Sequence, residues 1–179
     1  GFTLIEVVIA LAIVAITTTF AIASYRGHLL RADRVEAAYA LLAAAAEQAV
    51  WDALFVWDHV VHDKRQRRGQ PFGDPWMLLT AAALATSNLR LGTLVTPVAR
   101  RRPEQLARQA ATLDFLTGGR VIFSAGLGGA IEDEFGSFGD TTDPVVLAER
   151  LDEGLELLQR YWSGEPVNHH GRHYQVRDV

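Results

Sequence analysis

The chain has 179 residues, a formal net charge of -4 and no cysteine. A length of this order gives one domain, or one domain with an appendage. Mild acidity without a stripe of Lys and Arg gives no reason to expect nucleic acid, and the lack of Cys excludes a disulfide framework and any thiolate metal site. From Phe2 to Ala23 the sequence is almost wholly apolar, broken by Glu6 and the threonines. That length spans a hydrocarbon core as a helix, and a carboxylate inside such a segment is costly enough to mark Glu6 as a functional candidate. From Arg31 to Val50, alanines and leucines without Gly or Pro favour continued helix, with Val35, Tyr39, Leu42 and Ala46 on one face. One helix is therefore expected from about Thr3 to about Ala49.

The character changes at Trp51. Asp52 to His59 reads as a short buried strand ending in polar residues, followed by a charged loop from His62 to Gln70. Asp74 and Pro75 then open a helix expected over Trp76 to Ser87. Next come an apolar run from Leu89 to Val95, a helix opened by Pro103, and a second apolar run from Arg120 to Ala125. Runs without polar alternation suit strands buried on both faces, so this is a βαβ unit with a parallel crossover. In such units ligands gather at the C-terminal ends of the strands. After the loop Ala130 to Asp143, a helix from Pro144 to Trp162 shows Leu147, Leu151, Leu155, Leu158 and Trp162 on one face. Glu156 and Arg160 are spaced for a surface ion pair, and Gly154 weakens this helix by about 1 kcal/mol relative to alanine. Gly164 to Val179 reads as a hairpin turning near His170 and Gly171. Open edges on the first and third strands invite pairing with another chain.

Chemistry concentrates at the strand ends. His59 is a candidate for proton transfer, since an imidazole titrates near neutral pH in general, and Asp58 beside it is expected to orient the ring. Gly126-Leu127-Gly128-Gly129 reads as a tight turn or as a backbone cradle for phosphate, though it is not the dinucleotide fingerprint. Arg100, Arg101 and Arg102 read as a solvated helix entry or as an attractor for an anionic tail. Glu132, Asp133 and Glu134 read as the acidic first turn of a short helix. His169, His170 and His173 have hairpin spacing without a nearby fourth ligand, so no metal site is expected.

Two resemblances carry the functional expectations. Gly1-Phe2-Thr3-Leu4-Ile5-Glu6, with the apolar and alanine-rich stretch behind it, resembles the start of a type IV pilin or pseudopilin. This implies processing after Gly1, methylation at Phe2, pairing of Glu6 with a neighbouring subunit, and partners in the membrane or in other pilin-like helices through residues 2–23. The second resemblance runs from about Asp52 to Val179. It rests on Asp58-His59, Leu91 to Pro97, Arg102-Pro103-Glu104, Ala111 to Asp114, Gly118 to Val121, Gly126-Leu127-Gly128, Glu134-Phe135, Leu151 to Leu155, Trp162 to Pro166 and Gly171 to Tyr174. In that order and spacing these pieces resemble the luciferase-like monooxygenases.

The second resemblance implies a (β/α)8 barrel that uses FMN or the deazaflavin F420, with His59 as acid/base and Thr96, Gly126 and Gly128 beside the cofactor. A closed barrel typically takes about 250 residues, so the fold class expected here is α/β: a long hydrophobic N-terminal helix, then a partial barrel of about three parallel strands and a C-terminal hairpin. The division falls at 1–50 and 51–179, joined without Gly/Ser or Pro linker chemistry, as in a chimera. Two functions follow as expectations. One is a flavin- or F420-dependent oxidoreductase segment acting on a small molecule, cytoplasmic when taken alone. The other is a pilus-type structural subunit associated with the inner membrane.

Overall fold

The computed structural model describes residues 35–61 and 73–179. Gly1, Phe2, Glu6, the apolar segment 2–23 and the charged loop from His62 to Gln70 lie outside the described residues. Residues 35–48 form helix α1. Strand β1 (Ala53–Val56) follows, then α2 (Pro75–Leu84), β2 (Arg90–Thr93), β3 (Thr96–Pro97), α3 (Pro103–Thr117), β4 (Val121–Ile122) and β5 (Ala125–Gly126). The one-turn helix α4 (Ile131–Glu134), the long α5 (Pro144–Ser163) and the pair β6 (His169–His170) and β7 (Gln175–Val176) complete the order.

The three expected strands are neighbours and parallel. Sheet order is β1-β2-β4, with Leu54 opposite Leu91 and Leu91 opposite Val121. Each of the two long apolar runs is nevertheless split. Leu94 still donates its N–H to the Val56 carbonyl at 2.9 Å, but its side chain is exposed and the Leu94–Val95 peptide bond is cis. The chain then resumes as β3, which pairs in parallel with β5 through Thr96 opposite Ala125. Past the end of β1, among the described residues, there is no strand for residues 94–97 to share on that side, and the ladder continues on the 124–126 side.

Helix ends follow local chemistry. The Asp74 carboxylate accepts from the N–H groups of Trp76 at 3.0 Å and Met77 at 3.1 Å, and Asp143 accepts from Val145 at 2.8 Å. Each cap is followed by proline in the first turn, where a missing N–H costs nothing. α2 stops at Leu84, before the expected Ser87. There the Arg120 guanidinium takes the carbonyls of Ala83 (3.0 Å), Thr86 (3.1 Å) and Leu89 (2.9 Å), satisfying acceptors that a further turn would have used.

The core lies between the sheet and α2, α3 and α5, and includes Leu79, Ala82, Leu89, Leu91, Val98, Leu106, Leu113 and Leu158. Residues 35–48, read from sequence as part of the N-terminal unit, share it. Ala43 is fully buried there, and the Glu47 carboxylate accepts the N–H groups of Ser87, Asn88 and Leu89. The backbone donors of Asn88 and Leu89 hold that carboxyl below its ordinary range. The inward face of α5 contains Leu147, Gly154, Leu157 and Leu158. Leu157 had no place in the expected stripe. Gly154 is explained by close approach, since a Cβ there would sit 2.8 Å from Val98 Cγ1. Among the described residues no helix is long and apolar enough to cross a membrane.

Candidate functional site

Parallel register sends the C-terminal ends of β1, β3 and β5 to one rim. Asp58 and His59 follow β1, Thr96 lies on β3, and Gly126 and Gly128 lie at and after the end of β5. The residues singled out from sequence therefore come to the same side of the sheet. What they do there differs from expectation.

Asp58 is 3% exposed, and a carboxylate so buried must be paired. Its partners are not His59 but Arg100 and Arg101. Arg101 holds it with two bonds, Nε to Oδ2 at 2.9 Å and Nη2 to Oδ1 at 2.7 Å, and Arg100 donates to both its carboxylate and its carbonyl. Arg100 also bonds Glu134, so one guanidinium bridges two buried carboxylates. Of the three consecutive arginines only Arg102 matches a solvated helix entry, with Glu104 at 2.8 Å.

Glu134 lies in the acidic turn of a short helix, as expected, but its buried pairing was not foreseen. It is 2% exposed. Its Oε1 meets His59 Nδ1 at 3.2 Å and accepts from the Val61 N–H at 2.9 Å, while Oε2 accepts from the Val60 N–H at 2.9 Å and from Arg100. The last residue of a one-turn helix thus fixes both the imidazole and the backbone after it. The available signal was one acidic residue next to Phe135, which is itself 1% exposed: a charge adjoining a core residue needs a buried partner. The Trp57 ring stands edge-on to the His59 ring, centroids 6.0 Å apart. Beside the network opens a cavity of about 420 Å3 lined by Val60, Arg100, Glu134, Phe138, Gly139 and Asp140.

Thr96 and the glycines are closely packed. The Thr96 hydroxyl bonds that of Thr93, both fully buried. A Cβ on Gly126 would lie 2.8 Å from Val95 Cγ2, and one on Gly128 would lie 3.0 Å from Pro97 Cγ. At the hairpin, His169 bonds Glu153 at 2.9 Å, His173 bonds Glu149 at 2.9 Å and His170 bonds Gln175 at 3.1 Å. Burial pushes the Glu153 carboxyl up, but the His169 bond and the N–H groups of His173 and Tyr174 outweigh it and hold the group below its ordinary range. Among the described residues no group of three or more His, Cys, Asp or Glu is placed to hold a metal ion.

Parallel strands alternating with helices, with titratable side chains collected where the strands end, are the plan of a (β/α) barrel enzyme. Residues 18–179 match the luciferase-like monooxygenase family, and the chain belongs to it. It is 36% identical over 135 residues to the F420-dependent glucose-6-phosphate dehydrogenase of Beutenbergia cavernae, covering 75% of this chain and 39% of that protein. It is 33% identical over 138 residues to the enzyme of the same name from Mycolicibacterium smegmatis, covering 76% of this chain and 40% of that protein. The chain thus spans about two-fifths of the length of the curated relatives it matches.

Among solved structures it is similar to an F420-dependent secondary alcohol dehydrogenase in complex with an F420-acetone adduct. The TM-score is 0.69 and the identity 26%, covering 78% of this chain and 42% of that one. The oxygenating constituent of 3,6-diketocamphane monooxygenase from Pseudomonas putida, in complex with FMN, shares the fold at TM-score 0.66 and 20% identity, covering 79% of this chain and 38% of that one. Relatives therefore include both F420-dependent and FMN-bound proteins. The chemistry of the rim suits part of such a site. His59 stands at the strand ends with Nδ1 on Glu134, whereas Arg100 and Arg101 are already committed to Asp58 and Glu134.

Proposed function

We propose that the α/β segment performs F420-dependent oxidation at a carbinol carbon, with His59 as the proton acceptor. The observation that carries this reading is the His59 ring, placed after β1 at the rim with Nδ1 on the buried Glu134 carboxylate. A neutral imidazole that donates through Nδ1 keeps its lone pair on Nε2, where it accepts the hydroxyl proton as the carbon gives up hydride. When bound, F420 would supply the two-electron acceptor for that hydride. Residues 58–61 orient the base, and the cavity bounded by Val60, Phe138 and Gly139 offers room beside it.

Support for F420 over FMN comes from the identity of the F420-dependent relatives, against 20% for the FMN-bound structure. Titrating the chain separately with F420 and FMN, followed by absorbance, tests the proposal. F420 binding is expected, together with secondary-alcohol oxidation that His59→Ala lowers by about 10²–10⁴-fold. Absence of binding of either cofactor at high micromolar concentration sinks it.

The motif Gly1 to Glu6 supports a separate proposal for the N-terminus: assembly in the membrane with pilin-like helices through residues 2–23. Glu6→Ala is expected to block incorporation into filaments while leaving insertion intact, read by membrane fractionation. Equal incorporation of both forms would remove it.

A further inference from the structure

We infer that Glu134 is a positioning residue for His59, fixing the ring in the Nδ1–H tautomer while Arg100 holds the carboxylate in place. The catalytic consequence rests on the oxidoreductase reading above, but the assignment itself rests only on residues of this chain.

A carboxylate with a side chain 1% exposed persists as an ion only where donors surround it. Four do: two backbone N–H groups at 2.9 Å, the Arg100 guanidinium, and the His59 ring nitrogen at 3.2 Å. Three of these can only donate, so all the acceptor capacity is directed, and the lone pair facing the ring is fixed in direction. An ionised carboxylate cannot donate, so the neutral ring must place its proton on Nδ1. Among the described residues, the charged groups facing this unit are Arg100 and, through it, Asp58 with Arg101. These two carboxylates and two guanidiniums cancel in formal charge, and the direct hydrogen bond to Glu134 favours the Nδ1–H tautomer. Asp58 reaches the arginines alone, so the neighbour of His59 in sequence anchors the cluster and does not orient the ring.

The test is nitrogen NMR of the full chain labelled at histidine, without cofactor, at about pH 8, where unperturbed imidazole is neutral. His59→Gln identifies the signal by its loss. The wild-type His59 ring is expected to show the Nδ1–H tautomer, and an Nε2–H tautomer would overturn the inference. In Glu134→Gln the neutral amide is a weaker acceptor, and its NH2 group faces other donors. A mixture of tautomers is expected there, with about a hundredfold loss in kcat at little change in KM. A tautomer unchanged from wild type would also overturn the inference. Should Glu134→Gln not fold, the wild-type tautomer alone decides. An Nδ1–H ring in a chain that binds neither F420 nor FMN would end the oxidoreductase reading and leave the assignment of Glu134 standing.

Discussion

At the scale of single residues, two positions show how tightly this molecule is specified. Asp58 accepts two bonds from Arg101 and shares its remaining capacity with Arg100. Removing one partner of a buried pair costs about 3–5 kcal/mol because the remaining charge loses its compensation. Asp58→Asn is therefore expected to lower unfolding free energy in urea by about that amount, with the His59 tautomer still on Nδ1. Loss of the tautomer instead would return the orienting role to Asp58. Gly154 poses the opposite problem. Alanine would gain about 1 kcal/mol in helix propensity, but its methyl would enter a space already held by Val98 Cγ1 at 2.8 Å. Overpacking of that kind costs about 1–3 kcal/mol, so Gly154→Ala is expected to be net destabilising by about 1 kcal/mol in the same assay. A stabilised variant would show that α5 can move away from Val98. Sequence pattern exposes Gly154 only as a weak spot in a helix. Its reason lies 56 positions earlier, in Val98, outside any local window.

At the scale of elements, the hairpin is held to α5 by two carboxylates, Glu149 through the side chains of Arg172 and His173 and Glu153 through the backbone as well. Glu153 accepts from His169 at 2.9 Å and from the N–H groups of His173 at 2.9 Å and Tyr174 at 2.8 Å. Its folded-state pKa lies below the ordinary value, so the ionised form is the one the fold prefers. The stabilisation is fully present above the unfolded carboxyl pKa of about 4.3 and is lost as pH falls through the depressed folded value. Hydrogen-exchange protection of the His173 and Tyr174 amides, corrected for intrinsic rate, is expected to stay level from neutral pH to about 5 and to fall below about 4. Glu153→Gln should abolish that step, and a step that persists in the variant would assign it to another group. Helices α3 and α5 were legible from sequence because Pro103 and Pro144 mark their starts and apolar spacing marks their faces. The strand breaks at 94–95 and 123–124 were not, since Leu94 and Phe123 continue an apolar run whose pairing depends on where β1 ends. Arg100 and Arg101 were misread, and the buried pairing of Glu134 within its correctly placed helical turn was missed, for a related reason. Spacing along a chain carries no trace of ion pairs spanning 34 to 43 positions, whereas the polar pair Asp58-His59 at a strand end is a local signal.

At the scale of the molecule, sheet order leaves β4 paired, among the described residues, with β2 alone. A strand edge with free N–H and C=O groups is a template for another strand. Beside it lies an apolar hollow of about 440 Å3 lined by Ala110, Ala111, Phe115, Val121, Phe123 and Trp162, with Asp114 at its margin. Phe115 is 86% exposed and its neighbour Leu116 66%; the Val121 N–H is donated to Asp114 at 3.2 Å, so what this surface offers is chiefly area worth removing from water. Burying one phenylalanine contributes about 1.5–3 kcal/mol, equivalent to roughly 10- to 150-fold in Kd. The chain is expected to self-associate through this face. Sedimentation velocity over a concentration series should show species heavier than 19.7 kDa, and Phe115→Lys should weaken that association by at least about tenfold. The substitution falls on an exposed helix position away from His59 and Glu134, so folding and the His59 tautomer should be unchanged. If Phe115→Lys associates as strongly as the parent chain, the contact lies elsewhere, and the open β1 edge becomes the place to substitute next.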